Sequence, residues 1–147
     1  IGNSGMPRVS VVIPVHNYAH FLAEAIDSVL AQTYPDFEII IVDDGSTDHP
    51  EAIIGKYTDA RIRTIRLSGK GLSAARNAGL SFASGTYVSF LDADDTYLPG
   101  KLETQVRFLD SHAEIGVVSG GWAYRPEHLQ GHQTPDYNRH SLLIQRL

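Results

Sequence analysis

Short β-branched runs alternate with helix-spaced segments from Val9 to Ser119, and this alternation restricts the fold more than any other feature. Val9 to Pro14 is an almost wholly apolar run, as a strand buried on both faces requires, and Pro14 is read as its end. Ala19 to Gln32 follows, with Phe21, Leu22, Ala25, Ile26, Val29 and Leu30 at helical spacing. Tyr34-Pro35 closes that helix, because the residue before proline avoids the α region. Phe37–Val42, Ile62–Leu67, Thr86–Leu91 and Ile115–Ser119 read as further strands. Between them, Glu51–Tyr57, Leu72–Ala83 and a segment from Leu98-Pro99-Gly100 to about Leu109 read as helices. On the third of these four helices, Leu72, Ala75, Ala78, Gly79 and Phe82 share an inward face. Strand and helix in strict alternation imply an α/β fold, a doubly wound, mainly parallel sheet flanked by helices.

In such a sheet, ligands bind beyond the carboxyl ends of the strands. Three polar clusters fall there: Pro14-Val15-His16-Asn17, Asp43-Asp44-Gly45-Ser46 and Asp92-Ala93-Asp94-Asp95. Two are rich in carboxylates, whose repulsion a cation or solvent must relieve. The net charge of -5 argues against a nucleic-acid partner, which calls for a basic face. It leaves a nucleotide open, since a divalent ion bridges carboxylates to phosphates.

Asp92-x-Asp94 at a strand end suits magnesium or manganese, which favour carboxylate oxygens and keep positions for water and phosphate. The same residues also start turns and cap helices, so the pair alone decides nothing. For Asp43-Asp44 two readings stand together: Asp44 or Ser46 caps the next helix with Asp48 in its first turn, or a carboxylate accepts a nucleobase imide N–H. Arg76, near the start of an alanine-rich helix, is either a solvated cation or a guanidinium aimed at Asp92 or a diphosphate. His16 either lies against a base or is a satisfied loop histidine. The other histidines lack metal-ligand spacing and are read as surface or capping residues. Trp122 and Tyr124 are read as core rather than as a sugar pocket.

Five segments in order resemble family 2 glycosyltransferases of the GT-A fold: Val9 to Asn17, Ser28 to Tyr34, Val42 to Asp48, Gly71 to Gly79, and Phe90 to Asp95. The resemblance covers about Pro7 to Ser119. It implies inverting transfer of a sugar from a UDP- or dTDP-sugar to the hydroxyl of a glycan, lipid or protein acceptor, with Mg2+ or Mn2+ as cofactor. By the same resemblance Pro14 and His16 belong to the base-contacting turn, and Asp44 reads the base. Arg76 lies near base or diphosphate, and Asp92, Ala93 and Asp94 form the Asp-x-Asp. Asp94 is then the direct metal ligand and Asp92 nearer the ribose and ion. Lys70 stands where the family often has a polar residue such as Asn, which puts base or phosphate contacts by that loop in doubt. No general base is assigned, because the family's base is a carboxylate in the acceptor half. Asp136 and Glu127, the acids beyond Trp122, sit in no motif for that role.

Residues 1–6 are expected to be a leader, with Ile1 to Gly5 read as foreign to the natural chain and Met6 as its expected start. Residues 7–121 form the nucleotide-sugar-binding domain, and 122–147 begin an incomplete acceptor side. In that tail Trp122 to Arg139 reads as loop, and Ser141 to Leu147 as the beginning of a helix. The absence of cysteine excludes disulfides and thiolate chemistry and fits a reducing compartment. The expected location is the cytoplasm, with membrane association left to sequence not present in this chain. Homo-oligomerisation stays open. A receiver-like module would need a lysine after the fifth strand, where Ser119-Gly120-Gly121 stands. A nucleotidyltransferase would need a glycine-rich loop after the first strand, where Pro14-Val15-His16-Asn17 stands.

Overall fold

The computed structural model describes residues 5–120 and the strand at 141–145. The readings of Trp122, Tyr124, Glu127 and Asp136 lie outside the described residues, as do those of His128, His132 and His140. Ten elements follow in chain order: β1 (Val9–Val15), α1 (Ala19–Leu30), β2 (Phe37–Asp44), α2 (Pro50–Ile54), β3 (Ile62–Leu67), α3 (Leu72–Phe82), β4 (Tyr87–Phe90), α4 (Lys101–Ser111), β5 (Val117–Gly120) and β6 (Ser141–Gln145). They build one six-stranded sheet in the order β3-β2-β1-β4-β6-β5. The first four strands are mutually parallel, and β6 runs antiparallel to both β4 and β5.

Two sequence expectations change here. Ser141 to Gln145 is a strand and not the beginning of a helix. It inserts between β4 and β5, so those two are not neighbours. The physical gain is that β4 would otherwise present an unpaired row of backbone groups at a sheet edge. Pro14 does not end β1, which continues to Val15. Val12 turns its carbonyl toward β4, accepting from the Leu91 N–H, so Pro14, two residues on, points its missing donor to the same side. That side is open there, because the β1–β4 pairing stops at Val12 and Phe90.

Side-chain alternation divides the core into two layers. Val9, Val11, Ile13 and Val15 of β1 and Phe37, Ile39 and Ile41 of β2 pack with Leu22, Ile26 and Val29 of α1 and Leu102, Val106 and Leu109 of α4. Val12, Ile40 and Val42 face the opposite way, onto Ala75 of α3. Each fully buried aliphatic side chain contributes roughly 1.5–3 kcal/mol, so this two-faced burial explains why the runs are mostly apolar. The buried exceptions, Ser10 and Glu38, pair with each other, the Ser10 hydroxyl donating to Glu38 Oε1 at 2.7 Å. The α3 layer is thin because the helix approaches closely: a Cβ on Gly79 would lie 2.2 Å from Val12 Cγ1. Leu72 and Phe82, read as inward, are 52% and 50% exposed. They occupy the two ends of α3, past the positions where Ala75 and Gly79 meet the sheet. Among the described residues, no helix is long and apolar enough to cross a membrane.

Candidate functional site

The alternation that builds the core also aims Asp44. Ile40 and Val42 face α3, so Asp44, two residues on at the end of β2, faces it too. Its side chain is buried, with the residue 4% exposed. Both carboxylate oxygens are engaged: the Lys70 N–H donates to Oδ1 at 2.7 Å and the Gly71 N–H to Oδ2 at 2.6 Å. Gly71 is the N-cap of α3, so the carboxylate sits at the positive end of that helix. The Lys70 N–H is the largest influence holding the carboxyl below its ordinary range, ahead of the opposing desolvation and the help of Gly71. The chain can approach this closely because Gly45 has φ +73° and no side chain, and a Cβ there would lie 2.8 Å from Gly69 N. The Lys70 side chain is exposed, so the loop serves Asp44 through its backbone.

The turn after β1 is laced to the turn after β2. His16 Nδ1 lies 2.7 Å from the Asp44 carbonyl oxygen. The Asn17 N–H donates to Ser46 Oγ at 3.1 Å, and Thr47 N–H donates to Asn17 Oδ1 at 2.8 Å. The Ala19 N–H donates to Asp48 Oδ2 at 2.8 Å. Asp48 therefore caps α1 rather than entering the first turn of α2, and neither Asp44 nor Ser46 caps α2. The N-cap of α2 is His49, at φ 61°, whose side chain makes no capping bond and lies instead 2.9 Å from Glu51 Oε1. Asp43 Oδ1 instead accepts the Ser46 N–H at 2.9 Å, and Arg66 lies 3.3 Å from its Oδ2.

After β4 the chain turns at Asp92 to Asp95, closed by the Asp95 N–H donating to the Asp92 carbonyl at 3.0 Å. Ala93 is buried, Asp92 is half-buried and Asp94 is exposed. Arg76, one turn into α3, donates from Nη2 to Asp92 Oδ1 at 2.7 Å. Its Nε is buried and has no partner among the described residues. The first two turns of α3 therefore touch both acidic clusters, Asp44 through Gly71 and Asp92 through Arg76. The second oxygen of Asp92 and both of Asp94 make no hydrogen bond to a described residue. Among the described residues no group of three or more His, Asp or Glu gathers as a metal cage. Two carboxylates alone suit an ion that completes its shell with phosphate and water, as magnesium and manganese do.

The sequence model of the family described as Glycosyl transferase family 2 matches residues 10–146. The chain belongs to glycosyl transferase family 2. An uncharacterized glycosyltransferase of Nostoc sp. is 43% identical over 114 residues, covering 76% of this chain and 35% of that protein. The structure of S. aureus TarS 1-349 in complex with UDP-GlcNAc matches 88% of this chain and 37% of its own, at 28% identity and a TM-score of 0.76. The mannosyltransferase PcManGT from Pyrobaculum calidifontis, in complex with GDP-Man and Mn2+, matches 84% of this chain and 37% of its own, at 28% identity and a TM-score of 0.72. This family 2 chain spans about a third or less of the length of the curated relatives it matches.

Two parts of this family 2 site escaped sequence reasoning. The lacing by Asn17, Thr47 and Asp48 joins residues about 30 apart, and only the Asn17 position beside a strand end hinted at it. The second lies behind the Asp92 turn. Tyr97 places its hydroxyl 2.6 Å from Ser89 Oγ and donates to the Phe90 carbonyl at 3.0 Å, spanning the base of that turn. Lys101 Nζ donates to Ser89 Oγ at 2.6 Å and lies 3.8 Å from the Tyr97 ring centroid. Burial brings the Lys101 ammonium down to about 7 and pushes the Tyr97 phenol well above its usual range. A hollow of about 310 Å³ lined by Tyr34, Glu103, Val106, Arg107, Asp110 and Ser111 lies away from the site. Asp110 there bonds Arg8 and Tyr87, at the amino ends of β1 and β4.

Proposed function

We propose that this chain is the nucleotide-sugar-binding part of an inverting, divalent-metal-dependent glycosyltransferase. It takes a sugar from a UDP- or dTDP-sugar and gives it to the hydroxyl of a glycan, lipid or protein acceptor. The observation that carries this reading is the convergence on α3: Asp44 at its N-terminus, and Arg76 on its second turn holding Asp92. The complexes of TarS with UDP-GlcNAc and of PcManGT with GDP-Man and Mn2+ support it. The domain assignment, 7–121 for the donor and 122–147 toward the acceptor, belongs to the same proposal.

Pro14 and His16 line the base side, and Asp44 accepts the imide N–H of uracil or thymine with the lone pairs that Lys70 and Gly71 leave free. Arg76 directs its unpartnered Nε toward the diphosphate, with Ala93 giving the ribose a close backbone approach. Asp94, with Asp92 beside it, holds the magnesium or manganese ion, which when bound offsets charge on the leaving diphosphate. A carboxylate of the acceptor half removes the acceptor proton.

Calorimetric titration of the chain with UDP, with and without Mn2+, tests this reading, and a panel of other nucleoside diphosphates tests the base. Binding strengthened by Mn2+ and preferring UDP or dTDP is the expected result. No affinity for any nucleoside diphosphate overturns the proposal, and a preference for GDP overturns the role given to Asp44.

A further inference from the structure

Asn17 has two properties that the donor-site reading does not use. It is one of two non-glycine residues among those described with positive φ, at 57°. Its side chain lies between the Thr47 backbone N–H and the His16 ring. The Thr47 backbone N–H, 2.8 Å from Oδ1, can only donate, and so fixes which end of the amide is oxygen. Nδ2 is therefore the end facing His16, 3.4 Å from Nε2. An amide nitrogen only donates, so His16 Nε2 must offer a lone pair. The imidazole proton then sits on Nδ1 and donates to the Asp44 carbonyl at 2.7 Å. Every polarity in the chain from Thr47 through Asn17 and His16 to Asp44 agrees.

We propose that Asn17 is a positioning residue for the base pocket: it holds His16 as the neutral Nδ1–H tautomer with its ring tied to Asp44. The proposal rests on the donor-site reading and adds to it what makes the pocket preformed. One residue fixes both the ring beside the base and the main chain of the aspartate that reads it. The left-handed backbone follows from the same role. Asn17 must donate its own N–H to Ser46 Oγ while its side chain reaches Thr47, and asparagine is among the few side chains that tolerate this φ.

Two variants separate this role from mere stability. Asn17→Asp keeps the acceptor for Thr47 but presents an oxygen to His16 Nε2, so it calls for a second ring proton. Nitrogen-15 spectra of the imidazole are read at pH 7 in the free chain. They should show Nδ1–H with a bare Nε2 in the parent, and more proton on Nε2 in Asn17→Asp than in the parent. A parent ring protonated on Nε2, or an Asn17→Asp ring unchanged from the parent, overturns the proposal. Asn17→Gly keeps the left-handed backbone while deleting the side chain. UMP and UDP should both bind about five- to tenfold more weakly to it, as the loss of one hydrogen-bonded contact implies. The gain in UDP affinity from Mn2+ should be unaltered, since the loss lies on the base side. Unchanged UMP affinity, or loss of the Mn2+ gain instead, also contradicts the role. Should the parent bind no nucleotide, the donor-site reading fails, and the ring spectra of parent and Asn17→Asp still decide for or against Asn17.

Discussion

Replacing Asp44 by asparagine removes one negative charge and turns one acceptor into a donor, with almost no change of shape. In the parent, two backbone N–H groups, of Lys70 and Gly71, donate to the two carboxylate oxygens at 2.7 and 2.6 Å. A hydrogen bond to a charged acceptor contributes about 1.5–3 kcal/mol, and a neutral one about 0.5–1.5 kcal/mol. Asparagine retains one bond, in neutral form, and sets its NH2 against the second N–H in a site where the residue is 4% exposed. The expected loss is about 2–4 kcal/mol, a large part of a typical domain stability of about 5–15 kcal/mol. Urea unfolding at pH 7 measures it, as a lower midpoint with an unchanged slope. The sign with pH is fixed by the direction of the shift. The folded carboxyl lies below its ordinary range, so its contribution is complete above the unfolded value of about 3.9. It disappears as pH falls through the folded value beneath that. The gap between parent and Asp44→Asn should therefore be level from pH 7 to 5 and narrow below 4. A difference under about 0.5 kcal/mol at pH 7 would refute the account of Asp44 as the clasp of the 68–71 loop. So would a gap that does not change with acid.

Two further perturbations test the packing and the cluster behind the Asp92 turn. Gly79→Ala should destabilise by about 1–3 kcal/mol in urea, because its Cβ meets the buried, β-branched Val12 at 2.2 Å. Gly100→Ala, which meets nothing within 4 Å, should stay within about 0.5 kcal/mol, and equal effects would contradict the close approach of α3. Lys101 has a folded value of about 7 against 10.5 unfolded, so between those limits the unfolded chain holds the extra proton and stability rises with pH. Its contribution to the slope is at most about 1.4 kcal/mol per pH unit. Lys101→Met should remove that part of the slope between pH 7.5 and 9.5, and an unaltered slope would mean that the ammonium is solvated.

Much of this architecture is legible because the physics is local. A strand buried on both faces must be mostly apolar, so Val9 to Ile13 and Phe37 to Val42 announce themselves despite the buried Ser10 and Glu38. Parallel register then brings the residues after each strand to one edge, which is why His16, Asp44 and Asp92 are legible as neighbours. What failed depends on partners remote in sequence. The destination of Ser141 to Gln145 is set by the free edge of β4, and nothing within those five residues records it. Asp48 follows β2 and precedes α2, yet its bond goes to the start of α1. Leu72 fits the helical period of α3 but sits at its end, where period no longer implies burial. Lys101 lies in the first turn of α4 and gives no sign in sequence that Ser89 and Tyr97 will enclose it.

The proposed function requires the acidic turn after β4 and the α3 N-terminus to act together on one metal-bound diphosphate. The most direct test is UDP affinity of parent and Asp94→Ala, each with and without Mn2+. Asp94 is exposed and bonds to no described residue, so the variant should fold with parental stability. Asp94→Ala should lose the increment due to Mn2+ and keep the metal-free affinity. An Mn2+ increment of full size in Asp94→Ala would contradict that requirement.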